Sequence, residues 1–422
     1  MVMARSSVAG DHRKPLEWLN FFMADMQAGI GPFLGIFLLA HGWQSGWIGT
    51  VMTIGGVAGM LMTIPAGALI DASDRKRIFV IVPGICTVVA SCLILVSQEF
   101  WVVAASQVAT AIAGAAIMPA VIAITLGIVK REGFSDQNGR NQAFNHAGNM
   151  VGAGLSGLLG WQFGYVWIFV LAAAFGLASI ATVLLIPREA IDNQAARGMK
   201  EGGKDDKASG IKTLLECKPL LILAACLAFF HLGNGAMLPL YGLAVTAAKG
   251  DGGGSLFVAS TVVVAQAIMI GTALLAMRMG GRKTGGYWLV MLVSFIALPV
   301  RGLIAAHLIK TWGVFPVQML DGIGAGLQSV AVPALVQRIL DGTGRVNVGQ
   351  GAVMTVQGVG ASLSPAIGGW LAQDLGYPTA FTILGAFAIG SIVLWTVFAG
   401  TIRQATGGAA KPAGAGPAPA PA

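Results

Sequence analysis

Five ionisable side chains stand inside long apolar runs of this sequence, and they are the residues best placed to do chemistry: Asp25, His146, His231, Arg301 and Asp321. An ionisable group at the centre of an apolar helix costs roughly 2.5–3.5 kcal/mol on insertion scales, so its presence marks a pathway, a proton relay or an internal pair. Asp25 is followed by Gln27, Gly29, Gly31 and Pro32. A carboxyl in a low-dielectric cavity binds a proton more readily than in water, and a nearby cationic substrate opposes this, so the two can compete for one site. Asp25 is therefore the first residue to consider for proton coupling, against the plainer reading of a permanent hydrogen bond to neighbouring helices. His146 and His231 are further proton carriers by side-chain type, although a lone histidine among apolar residues also serves as a packing hydrogen bond.

Arg301 falls late in one apolar run and Asp321 early in the next, so antiparallel neighbours would bring them to one depth. An unpaired arginine there is costly, which predicts an ion pair. Gln318, Asp321 and Gln328 recur at spacings of three and seven, a single helical face that turns the pair inward. Spacing alone leaves open whether the pair is a gate, a coupling site or a structural clamp. Amides supply further cavity candidates in Gln27, Asn145, Asn149, Asn234 and Gln318, with Gln107, Gln266 and Gln357 weaker ones that are more simply helix-packing hydrogen bonds. No nucleophile with a base, no carboxylate pair and no metal cluster stands at recognisable spacing, and no glycine-lysine phosphate loop occurs. An enzyme is not expected, nor a cofactor or a metal. The four cysteines have neither disulfide nor zinc spacing.

Twelve apolar stretches must position these residues, at roughly 18–40, 47–70, 78–98, 100–129, 143–161, 166–186, 219–246, 256–277, 285–306, 314–340, 350–372 and 379–399. Each approaches the ~20 residues that cross a hydrocarbon core of about 30 Å. The chain is 55% hydrophobic and 10% charged, against about 25% charged in a soluble domain. The expected class is an all-α membrane protein of twelve transmembrane helices in two pseudo-symmetric six-helix bundles. Its divisions are a cytoplasmic N-terminus (1–17), a first bundle (18–186), a cytoplasmic linker of mixed charge and glycine (187–218), a second bundle (219–402) and a disordered Ala/Gly/Pro tail (403–422). The first apolar run is a full-length span rather than a cleavable leader.

If both termini are cytoplasmic, all 26 basic residues except Lys249, Arg301 and Lys310 fall in cytoplasmic segments, as the positive-inside rule requires. The net charge of +8 then orients the chain in a bacterial-type inner membrane and calls for no nucleic acid. The expected partners are a small-molecule substrate, protons and the lipid bilayer, with a monomer as the working unit.

The sequence is also written twice. Phe21 and Phe22 with Pro32 return as Phe229 and Phe230 with Pro239, and Asn149, Gly152, Ser156 and Gly160 return as Gln357, Gly360, Ser364 and Gly368. Repeated halves place a substrate site near the midplane where they meet. The repeat partner of the Asp25 region reads His231-Leu232-Gly233-Asn234-Gly235, whose glycines permit a broken helix with Asn234 as a substrate contact. Asn145, Asn149, Gly152 and Ser156 share one helical face that lipid cannot satisfy, with His146 beside it.

The turn after the second stretch, Gly67-Ala-Leu-Ile-Asp71-Ala-Ser-Asp74-Arg75-Lys76-Arg77, resembles the loop signature of the major facilitator superfamily, with Asp74 where the family usually has glycine. The resemblance implies a gating loop whose polar contacts between the halves help hold the outward-open state, Asp71 and Arg75 being the matching residues; topology anchoring alone is the plainer reading. Gly152-x-x-x-Ser156-Gly157-x-x-Gly160 is similar to the antiporter motif of drug exporters in that superfamily, and Gly360-x-x-x-Ser364-Pro365-x-x-Gly368 is closer still. Both copies have serine where glycine is usual, and close helix packing by small residues explains them equally. The reading is a secondary transporter working by alternating access, with proton-coupled export of a small organic molecule favoured. An importer or facilitator of a metabolite shares every feature above, and a non-transporting receptor or assembly factor is a third reading. Acid, amide and histidine facing an arginine-aspartate pair suit a cation or zwitterion better than a simple anion.

Overall fold

The computed structural model describes residues 12–28, 30–196, 215–249, 254–280, 286–340 and 346–406, which are almost wholly helical. The first half contains α1 (Arg13–Ala28), α2 (Ile30–Ala40), α3 (Ser45–Ala72), α4 (Ile78–Val96), α5 (Phe100–Phe163) and α6 (Val166–Leu184). The second contains α7 (Lys218–Asn234), α8 (Met237–Lys249), α9 (Gly254–Gly280), α10 (Gly286–His307), α11 (Val314–Ile339), α12 (Val346–Leu375) and α13 (Tyr377–Val397), then a short α14 (Ala399–Thr406).

Helix α5 holds two spans. A straight helix of 64 residues would be about 96 Å long, roughly three times the hydrocarbon thickness of a bilayer. The chain breaks at Lys130, whose φ of 59° and ψ of −174° are not helical. Past the break, Asn141 Nδ2 donates back to Thr125 Oγ1 at 3.1 Å, joining the two arms. Counting α1 with α2 as one crossing and α7 with α8 as another, broken one, each half supplies six crossings, close to the twelve stretches expected.

Apolarity is unevenly shared among them. Nine segments among the described residues are long and apolar enough to span a membrane by composition. Outside these nine lie α1–α2, the second arm of α5, and α12. The last two carry the Asn145–Asn149 face and Gln357, while Asn234, Gln266, Arg301, Gln318 and Asp321 lie in segments that qualify as spans.

The break between α7 and α8 is held by a neighbour. Its turn covers Gly235 and Ala236, and Pro239 brings no amide hydrogen to the next turn. The Ala236 amide donates to Ser364 Oγ of α12 at 2.8 Å. A discontinuity in a membrane span is tolerated when adjacent helices re-satisfy the backbone in this way.

The linker expected over 187–218 begins as packed structure. Ile191 and Ala196 are buried, the Asp192 amide donates to the Gly127 carbonyl at 3.1 Å, and the Asp192 carboxylate accepts the Gln194 and Ala195 amides at 2.9 and 3.1 Å. This caps the single turn Asn193–Ala196 and docks it against the first arm of α5. The later linker (197–214) and the tail from 407 lie outside the described residues.

Candidate functional site

Arg301 of α10 is the centre of a polar network inside the second half. It is 1% exposed. Its Nη1 donates to Asp321 Oδ1 and to Asn234 Oδ1, both at 2.7 Å, and its Nη2 donates to Gln318 Oε1 at 3.2 Å. One cation thereby ties α7, α10 and α11 together. Asn234 reaches it because α7 ends there. A second layer lies on the same helix faces, since Ser294 precedes Arg301 and Gln328 follows Asp321 by seven residues, about two turns. Gln328 Nε2 donates to Ser294 Oγ at 2.8 Å, and Ser294 Oγ donates to the Gly324 carbonyl at 3.0 Å. His231 Nε2 is buried without a hydrogen-bond partner.

The first half contributes the polar face of α5. Asn149 Nδ2 donates to Asn145 Oδ1 at 3.2 Å, and Asn145 Nδ2 donates to the Asn20 carbonyl of α1 at 3.4 Å. His146 Nδ1 lies 2.8 Å from Gln266 Oε1 of α9, a hydrogen bond between the halves when Nδ1 carries the proton. The carbonyl of Ala265, next to Gln266, is packed against Gly322, next to Asp321. The bridge between halves therefore sits at the depth of the Arg301 pair. Gln357 is half-buried on α12.

Sequence reasoning missed a second ion pair. Glu17 of α1 is buried, and Arg140 Nε donates to its Oε1 at 2.7 Å while the arginine side chain stays 56% exposed. Beside it, Gln137 Nε2 donates to Asn141 Oδ1 at 3.0 Å. Glu17 precedes the first apolar run and looks terminal. The usable signal was Glu17 with Asn20, three residues apart on one helix face.

The halves meet closely at the end away from the termini. Ser45 Oγ donates to the Gly369 carbonyl at 3.0 Å, the Gly46 amide to Gln373 Oε1 at 3.1 Å, Trp370 Nε1 to Thr50 Oγ1 at 3.0 Å and the Ala366 amide to Thr53 Oγ1 at 2.9 Å. A side chain at Gly49 would run into the Pro365 carbonyl. Alongside, Ser255 Oγ of α9 donates to the Gly157 carbonyl at 3.0 Å, and Gly160 faces Ser255 and Ile168. At the terminus-bearing end, a Cβ added to Gly67, Gly271 or Gly351 would meet nothing within 4 Å. The described contacts between the halves are closest at the end away from the termini.

The small residues of the repeated motif all lie at close approaches. Gly152 and Ser156 are buried in α5. Gly360 lies against the Ala228 carbonyl of α7, Ser364 caps the α7–α8 break, Pro365 opposes Gly49, and Gly368 packs on Ala236. In the expected gating loop, Arg75 is exposed and its amide donates to Ser73 Oγ at 3.1 Å. Lys76, in the middle of the basic run, is fully buried, with Nζ donating to the Ile70 carbonyl at the end of α3. An ammonium there complements the carbonyls that a helix C-terminus leaves unpaired. The side chains of Asp25, Gln27 and Asp71 lie outside the described residues.

The same architecture and sequence recur in known proteins. A profile of the Major Facilitator Superfamily matches residues 18–347. The chain belongs to the major facilitator superfamily. Uncharacterised MFS-type transporters from two strains of Mycobacterium tuberculosis are each 37% identical over 390 residues, spanning 91% of this chain and 92% of theirs. A crystal structure of a point mutant of the nucleoside transporter NupG superposes with a TM-score of 0.74 at 12% identity, covering 92% of this chain and 99% of that one. A bacterial homologue of the human lysosomal transporter Spinster, solved in an inward-facing and occupied conformation, gives 0.64 at 14% identity, covering 95% of this chain and 96% of that one. At such identities the likeness is one of fold. The protein is thus a multi-pass membrane transporter, not an enzyme, and moves a small molecule by alternating access as its superfamily does.

Proposed function

We propose that this superfamily member exports a small organic molecule in exchange for protons across an inner membrane, as a monomer with both termini in the cytoplasm. The observation that carries the reading is the convergence at one depth of polar side chains from both halves, with His146 of one half hydrogen-bonded to Gln266 of the other and the Arg301 network beside it. Ionisable residues inside a membrane transporter are the usual carriers of protons. Asp25 is the proton-linked acid, with His146 and His231 as relays. Asn145, Asn149, Gln266 and Gln357 contact substrate, as does Gln27. Asn234 and Gln318 act through Arg301. The terminus-bearing end then faces the cytoplasm, from which an exporter loads. The turn from Gly67 to Lys76 would meet the other half in the opposite state.

Reconstituted protein under an imposed pH gradient tests this. Cationic, zwitterionic and anionic compounds and a nucleoside are offered, and proton flux is compared between wild type and Asp25→Asn. Proton flux elicited by one class and lost in the variant is expected. Substrate movement with no proton flux in either protein would replace the exporter with a facilitator.

A further inference from the structure

The guanidinium of Arg301 is incompletely used. It has five N–H donors in a rigid fork, and three hydrogen bonds are formed, two from Nη1 and one from Nη2. Nε is buried with no partner. Nε and Nη2 form the side edge of the guanidinium, which carries only the 3.2 Å contact to Gln318 Oε1. Gln318 is itself fully buried, and its Nε2 has no partner either. Unpaired buried donors are uncommon, each costing about 1–3 kcal/mol, and two meet here on one edge of one cation. Asp321 does not fill that edge, because its contact is through a single oxygen to Nη1.

Resting on the transporter reading above, we infer that the Nε–Nη2 edge of Arg301, with the Gln318 amide, is a binding site for a carboxylate group of the transported molecule. Two carboxylate oxygens match the two parallel N–H bonds of that edge, the arrangement in which arginine is strongest and most selective. Gln318 would give up its acceptor contact and turn its amide hydrogens towards the same ligand. A second anion then lies beside one cation in a dry interior, which is unfavourable unless a proton enters with it. Asp321 takes that proton, because it is the acid of the network and is 12% exposed where Arg301 is 1%; proton and carboxylate then occupy one site in one state, so a positive result would turn the exchange proposed above into co-movement. The other titratable groups near the pair are Arg301 itself from α10, Tyr241 of α8 facing Arg301, His231 of α7 beside Gln328 two turns along α11, and His146, which reaches Gln266 of α9 from the other half.

The test is binding, not flux, so it stands or falls apart from the direction and coupling of transport. Thermal unfolding of the purified protein is followed with acetate, lactate, benzoate, hexanoate and glutamate, each beside its primary amide, at acidic and alkaline pH. At least one carboxylate should raise Tm, more at acidic pH, while its amide does not. Gln318→Glu places a fixed carboxylate on the edge; it should fold and lose the ligand shift. Arg301→Lys, which keeps the charge without the fork, should weaken binding about tenfold or more. Asp321→Asn should flatten the pH dependence. No carboxylate outdoing its amide, or an undiminished shift in Gln318→Glu, overturns the site; a shift independent of pH overturns the proton uptake. Proton flux with a cation in the transport assay, alongside no carboxylate binding, would leave the exporter standing and this inference lost.

Discussion

Two arginine–carboxylate pairs of equal length, 2.7 Å, occupy very different surroundings. Arg140–Glu17 keeps its arginine 56% exposed and its acid buried, whereas Arg301–Asp321 is 1% and 12% exposed, with an amide on either side. Distance therefore says little about what each contributes. A solvated arginine loses little if its partner is removed, since water replaces it. A buried arginine cannot be left alone, because the desolvation it has already undergone has no compensation. The first pair joins α1 to α5 near the terminus-bearing end, and the second is the hub on which three helices of the other half depend.

The largest expected effect follows from that contrast. Asp321→Ala should destabilise the protein by about 3–5 kcal/mol, as removal of one member of a buried pair does. The double variant Arg301→Met with Asp321→Leu should recover most of that loss while staying inactive in transport. Thermal or denaturant unfolding in detergent reads the first and reconstituted flux the second, and equal losses in single and double variants would erase the distinction. Next in size, Gly49→Val should disturb the closed end by about 1–3 kcal/mol of overpacking, because the new side chain meets the Pro365 carbonyl. A cysteine placed at Thr53 should become more accessible from the far face.

Smaller effects sharpen the comparison from the other side. Gln266→Leu removes the partner of His146 and should weaken closure by about 1 kcal/mol, one hydrogen bond's net value, seen as an altered balance of conformers by distance measurements across the interface. Glu17→Gln removes the charge opposite the half-exposed Arg140 and should cost less than about 1 kcal/mol; a loss as large as that of Asp321→Ala would show the two pairs to be alike. Smallest is the exposed pair of Lys130 and Asp192, 44% and 45% exposed. The Lys130 hydrogen bond, followed by the Ala195 amide, holds the Asp192 carboxyl below its ordinary range. A depressed acid contributes stability above its unfolded pKa and loses it as pH falls through the folded one. Docking of residues 188–196 should therefore loosen only under strongly acidic conditions, and less at high salt where the pair is screened, measured by hydrogen exchange of that segment against pH.

The twelve crossings and the Arg301–Asp321 pair were legible in the sequence for related reasons. Apolar length marks a span, and an arginine within one span with an aspartate at matching depth in the next has few other partners. Gln318 and Gln328 were legible as neighbours because spacings of three and seven fix a face. The Glu17–Arg140 pair was not, since Glu17 sits where the apolar run begins and a charge there is commonplace. Nor could periodicity place Gln266 opposite His146, because the register between two bundles is set by packing rather than by either helix. Lys76 shows a further limit, where a basic run reads as surface although one member turns inward to the end of α3.

The closed end of the interface bears on leakage. There Gly49 and Gly369 let backbone lie directly on backbone, so contact is made by groups that have no rotamers and cannot swing aside. Main chain lying on main chain there narrows the gap along which a file of water could carry protons or small ions. A carrier that alternates access is only as useful as its stopper is dry. Glycine supplies a stopper that seals by shape, yet holds by only a few hydrogen bonds and so can still be drawn.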